Sequence, residues 1–596
     1  MTEVLAFDPD SLRDRYRRER DKRLRTDGNA QYVEATGPFA HYLDDPYATP
    51  VSRGPVTGDV TVVVVGGGFA GLIAGARLKQ AGVHDVRIIE KGGDVGGTWY
   101  WNRYPGAQCD VESYVYLPLL EETGYIPTEK YVRAPEILEH CHRIAEHFDL
   151  YEGALLSTEV TGAGWDEARS RWNIRTNRGD KLAARFLAMG SGPLHRPKLP
   201  GIPGIEDFGG HSFHTSRWDY GYTGGDSTGG LSKLAGKRVA IIGTGATAVQ
   251  VVPHLAAAAA KVYVFQRTPS SIDVRNNRPT DPEWADSLKP GWQKERIENF
   301  TTLTSGGIAG TDLVMDGWTD IIGRLVTRLR EDGDRADLSP AGLARNIEFA
   351  DFEKMEQVRL RVDEVVEDPS TAEALKPWYR QFCKRPCFHD EYLQAFNRSN
   401  VELVDTDGRG VERITPGGVV ADGTEYGIDL LIYATGFEVG TAYTRRAGYD
   451  VRGAGGVTLS EHWRSGARTL HGMHVDGFPN MFVLGHAQGA FTANYPHLLG
   501  EASIHVSHLV SHAVESGLVR MEATTEAVDG WVATLNESAR DVRSFQEQCT
   551  PGYYNNEGHP GDGGLLWNSY GKGPMAFFKL MADWRDAGDF AGLDTR

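Results

Sequence analysis

Three glycines near residue 70 have the spacing of a phosphate-binding turn. The sequence Gly66-x-Gly68-x-x-Gly71 follows the β-branched run Val62–Val65 and precedes the apolar stretch LIAGARLKQAG. Glycines at these positions permit a tight turn, close approach of a pyrophosphate and close packing of a helix on a strand. The unit ends in VRIIE, where the carboxylate of Glu90 can accept a hydrogen bond from a ribose hydroxyl. The pattern predicts a dinucleotide site for an adenosine with a free 2′-OH; a tight structural turn is the alternative.

A second unit of the same kind carries a basic residue where the first has an acid. The run Val239–Ile242 leads into G-x-G-x-x-A and a helix, and the next strand ends in Gln266 and Arg267. A guanidinium pairs with phosphate bidentately and a carboxylate repels it, so Arg267 favours the 2′-phosphate of NADPH; a solvated surface charge is the alternative. The residues predicted to bind this coenzyme are Gly243, Thr244, Gly245, Ala246, Thr247, Ala248, Gln250, Arg267 and Thr268.

The opposite preferences of the two sites predict FAD in the first and NADPH in the second, with hydride transfer between them. Such a flavoprotein could be a disulfide reductase, a heteroatom hydroxylase or a ketone oxygenase. A reductase needs a close cysteine pair beside the flavin, and the one close pair in the sequence is Cys383-Lys-Arg-Pro-Cys387. Because a proline and two cations separate these cysteines, we interpret them as two unpaired thiols.

Length and composition limit the remaining possibilities. A chain of 596 residues is expected to contain at least two domains, and 40% hydrophobic with 24% charged residues is ordinary globular composition. The formal charge of −18 disfavours nucleic acid and anionic membranes as partners. Five sparse cysteines indicate reduced thiols, and neither a signal peptide nor a transmembrane run is apparent, so we expect a cytoplasmic protein.

Three apolar runs predict the strands that position the two glycine turns. They are VTVVVV after Asp59, KRVAIIG from Lys237 and DLLIYATG from Asp429. Such runs are typical of parallel strands buried on both faces, so the expected fold is α/β with two Rossmann-like dinucleotide-binding domains. The expected boundaries are an N-terminal extension at 1–58, an FAD-binding domain at 59–200 and 429–596, an NADP-binding domain at 201–274 and 383–428, and a helical insertion at 275–382.

Two terminal segments lie outside the predicted cores. Residues 8–27 are densely charged with few apolar positions, so at best a solvated helix is expected there. Residues 549–569, beginning CTPGYYNNEG, are rich in glycine, aromatic and amide residues, which suits a mobile loop that closes over NADPH; an ordered surface loop is the alternative.

Three long motifs resemble those of type I Baeyer–Villiger monooxygenases. Phe208 to Asp219 fits F-x-G-x-x-x-H-x-x-x-W-[PD], Gly97 to Asp110 fits G-x-W-x-x-x-x-[FY]-P-G-x-x-x-D, and Asp429 to Gly436 fits D-x-x-x-[YF]-A-T-G. The flavin-containing and N-hydroxylating relatives usually have tyrosine where Trp218 stands. The resemblance covers roughly residues 59–570. Its departures are Ala-Met-Gly at 188–190 in place of the earlier A-T-G turn, and alanine at the end of the second fingerprint.

The resemblance implies that a flavin peroxide anion attacks a ketone to give an ester or lactone. Such an anion needs a fixed cation in a site shielded from water. Arg385, in a loop similar to the family's Lys-Arg-Pro loop, is implied as that catalytic cation, with Asp110 as the acid that orients it and Lys384 as a ligand of the NADPH phosphate. A structural ion pair of Arg385 with Asp390 or Glu391 is the alternative.

The resemblance also assigns further residues around the cofactors. Those implied to contact FAD, beside the first fingerprint, are Thr98, Trp99, Asp110, Tyr116, Asn494 and Tyr495, with core packing as the alternative for the aromatic ones. His214 and Trp218 are expected to couple domain motion to catalysis rather than to touch substrate. No metal is expected, and the scattered histidines are interpreted as structural: His140, His142, His471 and His474.

The N-terminal extension and CTPGYYNNEG are similar to a longer subgroup of the family, which includes cyclopentadecanone monooxygenase and the pentalenolactone D synthases. The implied substrate, with O₂, is a bulky cyclic or polycyclic ketone that becomes a lactone. A flavin N- or S-hydroxylating monooxygenase is the alternative enzyme function. A non-catalytic, nucleotide-binding redox sensor is an alternative of another class, because a fold does not determine a function.

Overall fold

The run of valines before Gly66 lies in an interior strand of the first sheet. The computed structural model describes residues 7–49, 51–332, 337, 339–485, 488–538, 542–560 and 569–596. The first sheet has seven strands, in the order Val451–Arg452, Val160–Asp166, Arg171–Thr176, Lys181–Met189, Thr57–Val65 and Val86–Ile89, with Met481–Val483 also paired to Lys181–Met189. Thr57–Val65 is parallel to both of its neighbours.

The β-branched composition of strand Thr57–Val65 is explained by the burial of both of its faces. Val62 and Val64 pack in the cluster that contains helices Phe69–Gln80 and Tyr495–Glu515. Val63 and Val65 pack on the opposite face, in the cluster formed with the antiparallel strands of the same sheet. A strand covered on both sides has no polar face, which explains why the sequence shows a continuous run instead of an alternation.

The second sheet is entirely parallel and carries the second glycine turn. Its strands, in order, are Val401–Asp405, Lys261–Gln266, Arg238–Ile242, Leu430–Tyr433 and His211–His214. Helix Ala246–Ala258 follows Arg238–Ile242. The predicted return to the FAD-binding domain at residue 429 is wrong, because Leu430–Tyr433 pairs with two strands of this second sheet. The apolar run shows that a buried strand exists, but its partner is set by tertiary contacts.

Helices occupy most of the range predicted as a helical insertion. Its helices are Pro282–Ser287, Trp292–Thr304, Asp320–Asp332, Pro340–Val365 and Pro369–Leu375. Pro340 starts the longest of them, where a missing N–H costs nothing, and the Ser339 side chain accepts a hydrogen bond from the N–H of Gly342. The parallel strand pair Ile272–Asp273 and Cys387–Phe388 brings the two ends of the insertion together.

The N-terminal extension is not a solvated helix. Helix Pro9–Asp21 buries Leu12 and Tyr16, and the Tyr16 ring lies edge-on to Phe352 with centroids 5.7 Å apart. Two apolar side chains four positions apart share one face of a helix, and here that face packs on Pro340–Val365. The sequence shows the charged face clearly but does not reveal a partner more than 300 positions away.

The cysteine prediction also needs correction. Cys383 and Cys549, separated by 166 positions, form a disulfide, whereas Cys109, Cys141 and Cys387 are free and buried. The disulfide connects the loop before Lys384 to the C-terminal CTPGYYNNEG segment. A pair this distant in the sequence has no local signature. The cysteine argument for a reducing compartment is therefore weakened, and the cytoplasmic location stays a prediction.

Further helices and strands complete the part of the chain that the structure describes. The other helices are Thr98–Trp101, Ser113–Tyr116, Leu120–Thr123, Ala134–His147, Tyr220–Thr223, Tyr392–Ala395, Tyr443–Ala447, Leu459–His462, Thr525–Ser538, Val542–Gln548 and Pro574–Ala587. The other strands are Tyr32–Val33, Leu199–Pro200, Arg413–Thr415, Gly418–Ala421, Thr424–Gly427, Met521–Ala523 and Leu593–Thr595. Within the described ranges, no helix is long and apolar enough to cross a membrane. Residues 561–568 of the predicted mobile loop lie outside the described residues.

Candidate active site

Both glycine turns open onto one cavity of ≈ 1490 Å³. The predicted site residues that line it are Gly66, Gly68, Glu90, Thr98, Trp99, Tyr116, Gly243, Thr244, Gly245, Ala246, Thr247, Gln250, Arg267, Thr268, Lys384, Arg385 and Tyr495. Gly71, Asp110, Ala248 and Asn494 are buried and do not line it. The cavity lies at the carboxyl ends of parallel strands, where ligands of open α/β sheets bind. The individual contacts of these residues with cofactors stay predictions.

The first turn has the geometry that its glycines predict. Gly66 has φ +105°, and a Cβ there would lie 2.7 Å from the carbonyl oxygen of Gly190. A Cβ on Gly71 would lie 1.9 Å from the carbonyl oxygen of Gly66, so helix and strand could not pack this closely with any side chain. Gly71 therefore shapes the turn without facing the cavity. The turn fits the pyrophosphate of a dinucleotide, with the N-terminus of Phe69–Gln80 behind it.

Glu90 is held rigidly at the end of its strand. Its Oε2 accepts a hydrogen bond from the N–H of Gly67 at 2.6 Å, and its Oε1 accepts one from Gly92 at 2.7 Å. Burial raises the pKa of Glu90, and the two backbone donors oppose that rise. The side chain lines the cavity in a fixed position, as a ribose-binding acid requires.

The second turn is open toward the cavity. Gly243 has φ +110°, and a Cβ there would lie 2.4 Å from the carbonyl oxygen of Ala434. Gly245 precedes helix Ala246–Ala258, and a Cβ built on it meets nothing within 4 Å. Free space in front of a helix N-terminus fits a phosphate group, which the exposed N–H groups there can bind.

The side chains of two predicted coenzyme ligands form hydrogen bonds within the protein. The Thr244 hydroxyl donates to the carbonyl of Thr268 at 2.6 Å. Gln250 accepts from the Tyr104 hydroxyl at 2.9 Å and donates to the carbonyl of Gln108 at 2.8 Å. These contacts fix the turn and the adjoining helix. Any binding by Thr244 and Gln250 would therefore involve their backbone or a shared hydrogen bond.

Arg385 and Asp110 meet at the wall of the cavity. Nη1 of Arg385 lies 2.6 Å from Oδ2 of Asp110, which is 2% exposed. The alternative pairing with Asp390 is not observed, because Asp390 accepts hydrogen bonds from the backbone N–H groups of Arg275 and Asn276. Burial disfavours the charged form of Arg385, but Asp110, together with Cys387, Tyr553 and Cys109, raises the pKa of the guanidinium. The cavity therefore faces a permanent cation.

Arg275 is a second basic partner of Asp110 that the sequence does not predict. Its Nη2 pairs with Oδ1 of Asp110, and its Nη1 donates to the side-chain oxygen of Gln108. The strand pair formed by Ile272–Asp273 and Cys387–Phe388 places Arg275 beside Arg385. Burial would raise the pKa of Asp110, yet the two guanidiniums hold it below its usual value. A basic residue in the RNNRP loop has no distinctive local signal.

Aromatic residues line the cavity near the first glycine turn. The indole N–H of Trp99 donates to the Tyr116 hydroxyl at 3.1 Å, and both rings line the cavity together with Tyr495. Asn494 is fully buried and donates to the carbonyl of Val115 at 2.9 Å. Asn494 thus anchors the start of helix Tyr495–Glu515 instead of facing the cavity.

His214 and Trp218 lie behind the cavity wall. His214 Nε2 is 3.0 Å from the carbonyl oxygen of Gly436, and its Nδ1 lies 2.9 Å from the Ser216 hydroxyl. Burial, reinforced by Arg217, lowers the pKa of His214 to about 3. The neutral ring joins two strand ends of the second sheet and does not line the cavity. This placement fits a structural role within the second sheet, and the coupling of His214 and Trp218 to domain motion stays a prediction.

The two cations predicted to bind phosphate, Arg267 and Lys384, line the same cavity. Arg267 Nη1 donates to the side-chain oxygen of Gln31 at 2.6 Å, so the N-terminal extension contributes to this wall. Lys384 Nζ donates to the carbonyl of Pro551 at 3.3 Å. Burial, and then Arg267, lower the pKa of Lys384 to about 8. Arg267 and Lys384 are adjacent cations, and burial disfavours the charged form of Lys384. Together they form an electrostatic site for an anion.

The part of the chain that the structure describes contains no group of three or more His, Cys, Asp or Glu side chains that could hold a metal ion. His140 lies 2.7 Å from the carbonyl oxygen of Pro118, and His474 lies 3.1 Å from His505. These contacts give His140 and His474, two of the four histidines predicted to be structural, partners within the protein.

Comparison with known proteins identifies the family. A family model described as pyridine nucleotide-disulphide oxidoreductase matches residues 63–306. Neopentalenolactone D synthase of Streptomyces avermitilis is 54% identical, with 99% of each chain covered. A Baeyer–Villiger monooxygenase of Streptomyces coelicolor is 51% identical, with 96% of this chain and 95% of that protein covered. The chain belongs to the Baeyer–Villiger monooxygenase family.

Solved structures of Baeyer–Villiger monooxygenases and their neighbours agree with the fold. The polycyclic ketone monooxygenase of Thermothelomyces thermophila has a TM-score of 0.89 and 37% identity, covering 98% of this chain and 99% of that one. OTEMO, solved in complex with FAD and NADP, has a TM-score of 0.74 and 28% identity, covering 91% and 100%. The predicted α/β fold with dinucleotide-binding domains is confirmed, as is the membership of the Baeyer–Villiger family.

Proposed function

We propose that this enzyme is an FAD- and NADPH-dependent Baeyer–Villiger monooxygenase that converts a bulky polycyclic ketone to a lactone. The observation that carries the proposal is the pairing of Arg385 with Asp110 at the wall of a cavity onto which both dinucleotide turns open. Reduced FAD supplies the electrons that activate O₂, and NADPH supplies the hydride that reduces the flavin.

The chain's own residues supply charge, orientation and exclusion of water. Arg385 presents a cation that does not titrate, and it stabilises negative charge that develops on oxygen in the cavity. Asp110 holds the Arg385 fork at Nη1, and Arg275 holds the second carboxylate oxygen of Asp110. Trp318 donates its indole N–H to the carbonyl of Asp110 at 3.0 Å and lines the cavity, so it closes this corner against solvent.

The substrate class rests on the relatives and on the cavity. The close relatives include pentalenolactone D synthases and a polycyclic ketone monooxygenase, as their names state. The cavity has aromatic walls that include Phe491, Tyr553 and Tyr554. A large apolar surface favours a rigid hydrocarbon skeleton, because burial of its surface contributes roughly 25 cal/mol per Å². We infer a polycyclic ketone on this basis.

The test is product analysis with labelled oxygen. The purified enzyme would be incubated with NADPH, ¹⁸O₂ and ketones graded from cyclopentanone through bicyclic ketones to tricyclic terpenoid and steroid ketones. We expect a lactone that contains one ¹⁸O atom, with the highest turnover among polycyclic substrates. Conversion of sulfides or amines without lactone from any ketone would favour the N- or S-hydroxylating alternative. Absence of NADPH consumption with all compounds would favour a redox sensor.

A further inference from the structure

A buried carboxylate lies among the cations of the predicted 2′-phosphate site. Glu557, in the C-terminal CTPGYYNNEG segment, is 4% exposed. Its Oε2 lies 3.6 Å from Nη2 of Arg267, and its Oε1 lies 3.8 Å from Nζ of Lys198. Glu557 and Lys384 are also close enough to influence each other electrostatically. Arg267 and Lys384 are the two residues predicted to bind the phosphate, so their charge already faces an anion of the protein.

The contacts of Glu557 are those of an ion that is held loosely. Both distances to the cations exceed the normal length of a hydrogen bond, and Oε2 is buried without a hydrogen-bond donor at normal distance. Glu557 and the preceding Asn556 have φ of +55° and +52°, in the left-handed region that is unfavourable for residues other than glycine. A buried acceptor without a donor and two strained residues mark a position that another anion could occupy at little cost.

The N-terminal extension holds this segment in place. Asn29 donates to the side-chain oxygen of Asn556 and accepts from Nζ of Lys198 at 3.0 Å. His559 Nε2 lies 2.8 Å from the carbonyl oxygen of Arg25. The extension and the C-terminal segment therefore form one wall over the predicted phosphate site, with Glu557 pointing to the cations beneath.

We propose that Glu557 is a resident anion of the 2′-phosphate subsite, where it competes with the phosphate of NADPH for Arg267 and Lys384. A phosphate and a carboxylate repel each other strongly in a site of low dielectric, so both cannot share these cations. Arrival of the phosphate then displaces Glu557 and releases residues 556–559 from their strained conformation. NADH, which lacks the phosphate, leaves Glu557 in place. The inference rests on the proposed use of NADPH at Arg267.

The first experiment measures coenzyme binding to the oxidised, FAD-loaded enzyme by calorimetry. Glu557→Gln keeps the shape of the side chain and removes its charge. We expect the Kd for NADP⁺ to fall about tenfold, while the Kd for NAD⁺ changes less than about twofold. The matched control is Glu438→Gln, a buried glutamate that pairs with Arg445 at 2.7 Å and should leave the ratio of the two constants unchanged.

A double-mutant cycle tests whether the effect passes through Arg267. In an Arg267→Ala background, Glu557→Gln should improve NADP⁺ binding clearly less than in the unmutated enzyme, because one of the two cations for which both anions compete is absent. An equal gain for NADP⁺ and NAD⁺, or weaker NADP⁺ binding in Glu557→Gln, would overturn the competition. Either result would assign Glu557 to general stabilisation of the segment.

Hydrogen exchange of the backbone amides tests displacement directly. NADP⁺ should accelerate exchange in residues 556–559, and NAD⁺ at saturation should not. Protection of this segment by NADP⁺ would refute displacement. The two proposals can fail separately: if the unmutated enzyme binds NADP⁺ and NAD⁺ equally, the proposed use of NADPH is wrong, whereas an unchanged ratio in Glu557→Gln with a clear NADP⁺ preference refutes the role of Glu557 alone.

Discussion

Asp110 and Arg385 are 275 positions apart in sequence, and Oδ2 of Asp110 accepts a hydrogen bond from Nη1 of Arg385 at 2.6 Å. The carboxylate is buried, whereas the Arg385 side chain keeps 30% of its surface exposed. The pair thus has a fixed, shielded end and an end that faces the cavity. This arrangement aims one cation at the space between the two dinucleotide turns.

Replacement of Arg385 by alanine should separate cofactor binding from oxygenation. The glycine turns are elsewhere, so Arg385→Ala should still bind FAD and NADPH. Loss of one charge stabiliser in a site shielded from water costs on the order of 3 kcal/mol, so lactone formation should fall about a hundredfold or more. Lactone, hydrogen peroxide, O₂ and NADPH would be measured together, and we expect NADPH oxidation to yield peroxide.

Arg385→Lys is the matched control, and it should recover only part of the activity because an ammonium lacks the planar fork. Near-normal lactone formation by Arg385→Ala would move the catalytic cation elsewhere, with Lys384 as the next candidate. That result would also remove the main chemical argument for ketone oxygenation.

Arg275 should act as a positioning residue whose loss appears in the pH profile. Removal of its guanidinium leaves Asp110 with one cation, so the pKa of Asp110 should rise. Since the ionised carboxylate orients Arg385, the acidic limb of the kcat profile should move to higher pH in Arg275→Ala. Breaking one member of a buried ion pair costs about 3–5 kcal/mol of stability, so Arg275→Lys, with a smaller shift in the same direction, guards against misfolding. An unshifted profile in folded variants would contradict this role.

Arg267 should determine the preference for NADPH. Loss of a charge-assisted contact to phosphate costs about 1.5–3 kcal/mol, so Arg267→Ala should raise the KM for NADPH roughly ten- to hundredfold. The KM for NADH should change little. Steady-state kinetics with both coenzymes measures the effect, and equal use of the two by the unmutated enzyme would refute the prediction before any variant is made.

The disulfide predicts the number of reactive thiols in the denatured enzyme. Without reductant, three cysteines should react with a thiol reagent, namely Cys109, Cys141 and Cys387. After reduction, Cys383 and Cys549 should react as well. Alkylation followed by mass spectrometry of peptides distinguishes the two groups. Five reactive thiols before reduction would show that the bond does not form in solution.

Local features of the site could be predicted from the sequence, whereas its tertiary contacts could not. Gly66 and Gly243 are required by turns of a few residues, and both have the positive φ that their motifs predict. The catalytic role of Arg385 is predicted only by the resemblance to a family. The partners that complete the site come from distant parts of the chain. Arg275 reaches Asp110 across 165 positions, and Gln31 reaches Arg267 across 236.

The same distinction explains the errors in the prediction. The run from Asp429 was correctly interpreted as a buried strand, yet its sheet was wrong because apolar composition does not specify a partner. Helix Pro9–Asp21 was expected to be solvated because most of its residues are charged. Its two buried side chains are a minority in the sequence but determine where the helix docks.

A pair of buried histidines should make the enzyme less stable in acid. His474 and His505 are joined through their Nε2 atoms at 3.1 Å, which requires one ring to donate and the other to accept. Burial lowers the pKa of His474 to about 3, and burial followed by His474 lowers that of His505 well below its usual value. Both rings are therefore neutral in the folded state.

The sign of the pH dependence follows from these depressed values. Above pH ~6.5 the rings are neutral in both folded and unfolded chains, so they contribute no pH dependence. Below it, only the unfolded chain takes up protons, so each ring costs about 1.4 kcal/mol of stability per pH unit. Urea unfolding between pH 7.5 and 5.5 should show this loss, and His474→Gln should reduce the dependence on pH even though it lowers the stability at pH 7.5. An identical dependence in the variant would show that other groups cause the acid sensitivity.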